Sequence, residues 1–298
     1  MTFFLTFVAS DAKYPLKEKH IKDSVNILKA YNITQTEKSI WLAPQKAAEI
    51  VISNTGGYAL IQHLREYFSD SKIDFFLTPQ DQRRKKLLLA DMDSTIVTGE
   101  TLDDLAEYAG LKEKISAITA RAMNGELDFH SALTERVGLL KDLPSRALDK
   151  TLAHIRLSAG AQTLVRTMKH HGATCVLVSG GFTFFTGPVA EQAGFDHHHG
   201  NTLDIQNDLL TGRVIPPVLD KFSKVTFLEH YSTALEIPLA LCATIGDGAN
   251  DIPMLKSAGL GVGYHPKPAV REALSNCILY GDLTALLYAQ GYAAHEFS

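Results

Sequence analysis

The chain is short of several things, and each shortage removes a class of function. Of its 298 residues only three are cysteines, Cys175, Cys242 and Cys277. An odd number at wide spacing builds neither a disulfide framework nor a zinc pattern, so they read as small buried hydrophobes. Basic charge is not in excess: 29 lysines and arginines against 33 acidic residues leave a net charge of −4. Such a balance sets up no field suited to gripping nucleic acid or an anionic lipid surface. The expected partner is a small molecule, with no nucleic acid and no membrane. No apolar run approaches the ~20 residues that span a bilayer. The opening "MTFFLTFVAS" has neither the basic start nor the continued apolar core of a secretory leader, which makes the cytoplasm the expected compartment.

What is present describes a globular chain of two domains, at roughly 100 to 200 residues per domain. Residues 1–80 alternate in type: strand-like "FFLTFVA", a helical pattern over 16–30, short strands near "SIWLA" and "EIVIS", a helix from Tyr58 to Phe68, and strand-like "KIDFFLT". That order, βαββαβ, predicts a ferredoxin-like α+β domain. The stretch "TPQDQRRKK" then breaks the pattern with proline and charge, and its end, residues 81–86, reads as a solvated linker. From residue 87 to 298 strands alternate with helices. "KLLLAD", "ATCVLVSG", "LALCATIGDG" and "GLGVGY" are continuous apolar runs, the pattern of strands buried on both faces. Helices are expected near 160–171, 182–193, 223–235 and 250–258, giving an α/β domain with a doubly wound, Rossmann-like parallel sheet. Inserted after the first strand, residues of about 100–160 read as helical, and a connection this long is expected to be a functional lid or cap.

The polar clusters fall at strand ends. Asp91 and Asp93 follow "LLLA", Ser179, Gly180 and Gly181 follow "VLV", and Asp247, Asn250 and Asp251 follow "ATI". In open α/β sheets ligands bind beyond the carboxyl ends of the strands, so one crevice is expected to collect all three. Like charges resist joint burial unless a cation or a reaction uses them. An oxygen-only set with no nearby histidine or cysteine points to Mg2+. The Ser-Gly-Gly segment suits an anion held by backbone N–H groups, or, more simply, a tight turn. Two other stretches carry less. His197, His198 and His199 are adjacent and on a strand would alternate faces, so they cannot all reach one ion. "GLGVG" lacks the third glycine of a dinucleotide fingerprint.

With "DMDST", "SGG", a lysine at Lys224 and "GDGAND" in order, the chain resembles the haloacid dehalogenase superfamily of aspartate-nucleophile phosphatases. From about residue 87 to 285 it is most similar to the bacterial phosphoserine phosphatases. Beyond the four motifs, that likeness rests on Glu100, the segment "RAMNGELDFHSALTERVGLLKDLP", "SGGF" and "NTLDI...LTGRV". The resemblance implies Mg2+-dependent hydrolysis of O-phosphoserine through an aspartyl phosphate, the last step of serine biosynthesis. Asp91 would be the nucleophile, Asp93 the general acid and base, and Lys224 the charge-neutralising lysine. Asp91, Asp93 (through its backbone carbonyl) and Asp247 would hold the metal. Ser179, Gly180 and Asn250 would face the phosphoryl group, with Asp251 orienting Lys224. Glu100 and Arg136 would meet the α-amine and α-carboxylate, and Met123 and Phe129 would roof the site. The front domain looks like an amino-acid-sensing (ACT-like) module, with homodimer formation or serine feedback as its expected role. Competing expectations are transfer of the phosphoryl group to another alcohol, a different small phosphomonoester, or an amino-acid-binding module without turnover.

Overall fold

The structure, a computed structural model, describes residues 2–123, 126–220 and 222–298. Its first six elements are β1 (Phe3–Ala9), α1 (Glu18–Ala30), β2 (Ile40–Ala43), β3 (Ala47–Ile52), α2 (Gly57–Tyr67) and β4 (Ile73–Pro79). The strands form an antiparallel sheet in the order β2-β3-β1-β4. Alternate side chains of a strand point to opposite faces, and here the two faces meet different partners. Leu5, Phe7, Ile50, Ile52, Ile73 and Phe75 pack under α1 and α2. Val8, Ala47 and Phe76 belong instead to the core of the following unit.

That unit continues with β5 (Leu87–Asp91), four helices α3 (Thr101–Tyr108), α4 (Lys112–Met123), α5 (Phe129–Gly138) and α6 (Arg146–His154), then α7 (Ala161–His170), β6 (Thr174–Phe182), α8 (Thr183–Ala193), β7 (His197–Gln206) and β8 (Leu209–Ile215). It closes with α9 (Ser223–Ala234), β9 (Cys242–Gly246), α10 (Ile252–Ser257), β10 (Leu260–Tyr264), α11 (Pro268–Ala273), β11 (Cys277–Ile278) and α12 (Ala285–Ala289). The sheet order is β11-β10-β9-β5-β6-β7-β8. Leu87 and Leu89 of β5 point into a core shared with α9, α10 and α11, while Leu88 and Ala90 point into one shared with α7, α8 and α12. Burial on both faces is why the strand reads as an unbroken apolar run. The chain runs one way from β5 through β6 to β7, then returns to β9 on the other side of β5. The strand order therefore switches between β5 and β9, where α/β sheets place their ligands. The expected parallel pairing holds from β11 to β7, but β8 is an antiparallel edge strand. Its two-residue turn, Asn207-Asp208, has φ of 51° and 61°, the left-handed pair that a tight hairpin requires.

Within residues 81–86, read as a solvated linker, Asp81, Gln82, Arg84 and Lys86 are exposed, while Arg83 is partly buried and Lys85 buried. Arg83 and Glu49 form an ion pair at 2.5 Å with side chains only 10% and 5% exposed. The Arg83 guanidinium also donates to Thr6 and to the carbonyls of Tyr288 and Ala289 and lies over the Phe4 ring. Lys85 is buried, donating to the carbonyls of Gln82 and Ala240, and desolvation pulls its pKa down to about 8. Arg83 thus ties the four-stranded sheet to α12, and Lys85 ties its segment to the approach to β9. Removing one partner of such a buried pair leaves an uncompensated charge, at a cost of roughly 3–5 kcal/mol.

Candidate active site

At the switch point three carboxylates, those of Asp91, Asp247 and Asp251, are buried and offer oxygens within 4.8 Å of one another. Asp91 arrives on the last residue of β5, and Asp247 directly follows β9. Asp251 folds back beneath them, and Gly246 makes room: a Cβ there would stand 2.5 Å from the Asp251 carboxylate carbon. Lys224, at the start of α9, bridges Asp91 and Asp251, with Nζ 2.5 Å from an oxygen of each. The other Asp251 oxygen accepts the backbone N–H groups of Asp247 and Gly248 at 3.1 and 3.0 Å. Asp251 is therefore fully engaged by the protein, whereas Asp91 and Asp247 line a cavity of about 180 Å³. Burial, followed by the Asp251 charge, pushes the Asp91 carboxyl well above the ordinary carboxylate range even with Lys224 beside it. Burial raises Asp247 as well.

Asp93 lies two residues on, in a different setting. A wide turn over residues 92–96, with Ser94 in the left-handed region at φ 55°, swings its carboxylate away from the buried cluster. There it accepts the Ser179 hydroxyl at 2.7 Å and the Thr101 backbone N–H at the start of α3 at 2.8 Å. The Ser179 oxygen in turn accepts the Gly181 N–H at 2.8 Å. Ser179, expected to face a phosphoryl group, is thus turned toward Asp93, while Gly180 and Gly181 line the cavity itself. At the outer rim stand Glu100, which accepts the Ser94 hydroxyl at 2.8 Å, and Arg136 from α5, with Asn250 opposite. Burial, then Asp93, raises the Glu100 carboxyl.

The cavity thereby brings together Asp91, Asp93, Glu100, Arg136, Gly180, Asp247 and Asn250, with Lys224 and Asp251 directly behind. The side chains of Met123 and Phe129 lie outside the described residues. Sequence reasoning missed two neighbours. Asn201, fully buried on β7, donates to the Gly180 carbonyl and accepts the Leu219 N–H, both at 2.8 Å. It couples the glycine loop to the segment leading into Lys224; on the polar strand "HHHGNTLDIQ" nothing local marks it. Lys267, after β10, reaches Asp247 at 3.0 Å, and nothing in its local pattern marks it. Among the histidines, His197 and His199 pack on Tyr231 while His198 bonds Thr186 on α8, the alternation expected of a strand.

Fold and site together form a doubly wound α/β sheet whose switch point buries an aspartate cluster around one lysine, with Asp91 at the end of the sheet's first strand in chain order. The profile of the haloacid dehalogenase-like hydrolases matches residues 88–256, and the chain belongs to that family. It is 41% identical over 215 residues to a phosphoserine phosphatase of Streptomyces coelicolor, which is 72% of this chain and 52% of that protein. The chain spans about half the length of the first curated relatives it matches. Among solved structures, a haloacid dehalogenase family hydrolase from Salmonella enterica serovar Typhi is similar across 97% of this chain and 98% of its own, at TM-score 0.83 and 27% identity. A phosphoserine phosphatase captured as a phospho-aspartyl intermediate analogue is 38% identical at TM-score 0.64, covering 69% of this chain and 98% of its own.

Proposed function

We propose that this enzyme hydrolyses O-phosphoserine to serine and phosphate in a magnesium-dependent reaction through an aspartyl phosphate. The observation that carries the reading is the pair Asp91 and Asp93, two residues apart and held in opposite environments. Asp91 sits against Lys224 in the buried cluster, and Asp93 is hydrogen-bonded on the cavity side to Ser179 and the start of α3. One carboxylate can act on phosphorus while the other moves a proton.

The donor set fits magnesium. Asp91, Asp93, Glu100 and Asp247 line the cavity against Arg136 and Lys267, so acidic charge is in surplus and every donor is an oxygen. Asp91 and Asp247 would hold the ion through their carboxylates and Asp93 through its backbone carbonyl; Asp251 is already committed to Lys224. When bound, magnesium supplies positive charge that offsets the phosphoryl oxygens.

In the first step an Asp91 oxygen bonds to phosphorus as the bond to the serine oxygen breaks, and Asp93 gives that oxygen its proton. In the second, Asp93 takes a proton from water as the water oxygen attacks phosphorus, releasing phosphate and restoring Asp91. Lys224 neutralises charge beside Asp91 throughout. The Gly180 N–H and Asn250 face the phosphoryl group, and Ser179 joins them by rotating off Asp93. Glu100 meets the ammonium of the substrate, and Arg136 meets its carboxylate with a two-pronged fork. Helices α3 to α6, with Met123 and Phe129, form the cap that excludes water. In this reading residues 87–298 are the phosphatase domain, with its cap over about 100–160, and residues 1–80 are a ferredoxin-like, ACT-like domain joined through 81–86. A serine-responsive or dimerising role for that domain would use its helices or the β2 edge, because the other face of its sheet is packed inside the chain.

Phosphate release from O-phosphoserine and from p-nitrophenyl phosphate, with magnesium and with chelator, tests the assignment. The expected result is magnesium-dependent release with a strong preference for phosphoserine. Equal turnover of both esters, or full activity in chelator, would overturn it.

A further inference from the structure

Lys267 belongs to none of the motifs, yet its ammonium sits where two positive groups of the loaded site are expected. Its Nζ is 3.0 Å from Asp247 Oδ2 and 3.7 Å from Glu100 Oε1. Those two carboxylates approach from different parts of the fold, Asp247 from the end of β9 and Glu100 from the start of the helical insertion. The root of the side chain is fixed. Lys267 lies between Pro266 and Pro268, in extended backbone at φ −59° and ψ 155°, and its N–H donates to the Asp247 carbonyl at 2.9 Å. Its side chain is 50% exposed, so the four-carbon stem is free to swing from a rigid base. Lys224 offers the contrast: its side chain is 5% exposed and pinned between two carboxylates.

We propose that Lys267 is a placeholder cation that becomes a substrate-positioning residue. In the unloaded site its ammonium offsets Asp247 and Glu100. When a divalent cation takes Asp247 and the substrate's ammonium takes Glu100, like-charge repulsion displaces Lys267 from both. The anionic groups of the same substrate are then its nearest partners. The identity of the two incoming cations rests on the function proposed above. The placeholder role makes metal binding an exchange of cations.

The test compares wild type with Lys267→Met and Lys267→Arg. Magnesium binding is measured by titration calorimetry without substrate, phosphoserine kinetics separately, and thermal melting confirms that each variant is folded. Loss of the competing charge should tighten magnesium binding by about fivefold in Lys267→Met, with Lys267→Arg close to wild type. KM for phosphoserine should rise in Lys267→Met by more than kcat falls. Unchanged or weaker magnesium binding in Lys267→Met overturns the placeholder role, as does a wild type that binds no magnesium. Tighter magnesium binding with an unaltered KM overturns the transfer to substrate. The calorimetric arm contains no ester, so tighter binding in an enzyme that leaves phosphoserine intact would sustain the placeholder and remove only the substrate assignment.

Discussion

Two regions of the molecule bury an acidic side chain, and they do so in opposite ways. Asp74, on β4 where the two sheets meet, is 1% exposed. It accepts the backbone N–H groups of Leu279, Tyr280 and Gly281, the segment between β11 and α12. Asp91 is nearly as buried, but it accepts from the ammonium of Lys224, and its other neighbours include Asp93 and Asp251, which repel it. At Asp74 the fold itself supplies fixed dipoles that offset part of the cost of burial. At Asp91 the fold supplies one cation and further negative charge, a balance that only an incoming cation and a reaction make useful. Burial of a carboxylate therefore marks function here only when the protein leaves it under-compensated.

The strongest way to break that comparison is to neutralise each carboxylate and see what is lost. Asp91→Asn should lower phosphate release by about a thousandfold or more, since an amide cannot form the acyl phosphate. It should leave the melting temperature equal or higher, because it removes a repelled charge while Lys224 keeps Asp251. Single-turnover phosphate release and a thermal melt read both. An Asp91→Asn protein that is inactive because it is unfolded would erase the distinction between the two sites.

Asp74→Ala should show the reverse. Three amides at the seam would lose their acceptor in a place water reaches poorly, costing about 3 kcal/mol in total. Magnesium-dependent turnover at a temperature where the variant is folded should stay within about twofold, because no atom of Asp74 lines the cavity. Urea unfolding with parallel kinetics would decide it. A large fall in kcat would mean that the seam and the active site are one energetic unit.

The contrast also explains what the sequence made legible. The active-site carboxylates announce themselves because a parallel strand is an unbroken apolar run, and Asp91 and Asp247 stand where such runs stop. The helices were readable for a similar reason: α7, α8 and α9 fall where the spacing of apolar residues places them. The seam was not readable, because its partners lie far apart in the chain. Arg83 meets Glu49 across 34 residues and the Ala289 carbonyl across 206, and Asn276 bonds both backbone groups of Leu77 across 199. Local composition made "QRRKK" look solvated throughout, and only packing against residues distant in the chain draws Arg83 and Lys85 inward. Lys267 was hidden for the same reason, since its carboxylate partners come from the end of β9 and the start of the helical insertion. The helical insertion was legible as helices, while which of its residues reach the cavity depends on how α3 and α5 lean over the sheet.

The smallest expected effect tests whether fixed dipoles or desolvation dominates at Asp74. Burial raises its pKa from 3.8 to about 6, against the opposing pull of the three amides and Arg65. A carboxyl whose folded pKa lies above its unfolded value binds its proton more tightly in the native state. The stability it contributes is complete below pH 3.8 and is lost as pH rises to about 6, after which it stays flat. Asp74→Asn has no proton to lose. The stability of the variant minus that of wild type should therefore grow by on the order of 2 kcal/mol between about pH 4 and pH 6.5, measured by urea denaturation at each pH. A difference that shrinks over that window would mean the amides hold the anion more strongly than burial opposes it, with the folded pKa below the unfolded one. The seam would then hold its carboxylate as a settled charge, unlike Asp91, whose carboxyl burial and Asp251 push up, and the line drawn between the two regions would sharpen.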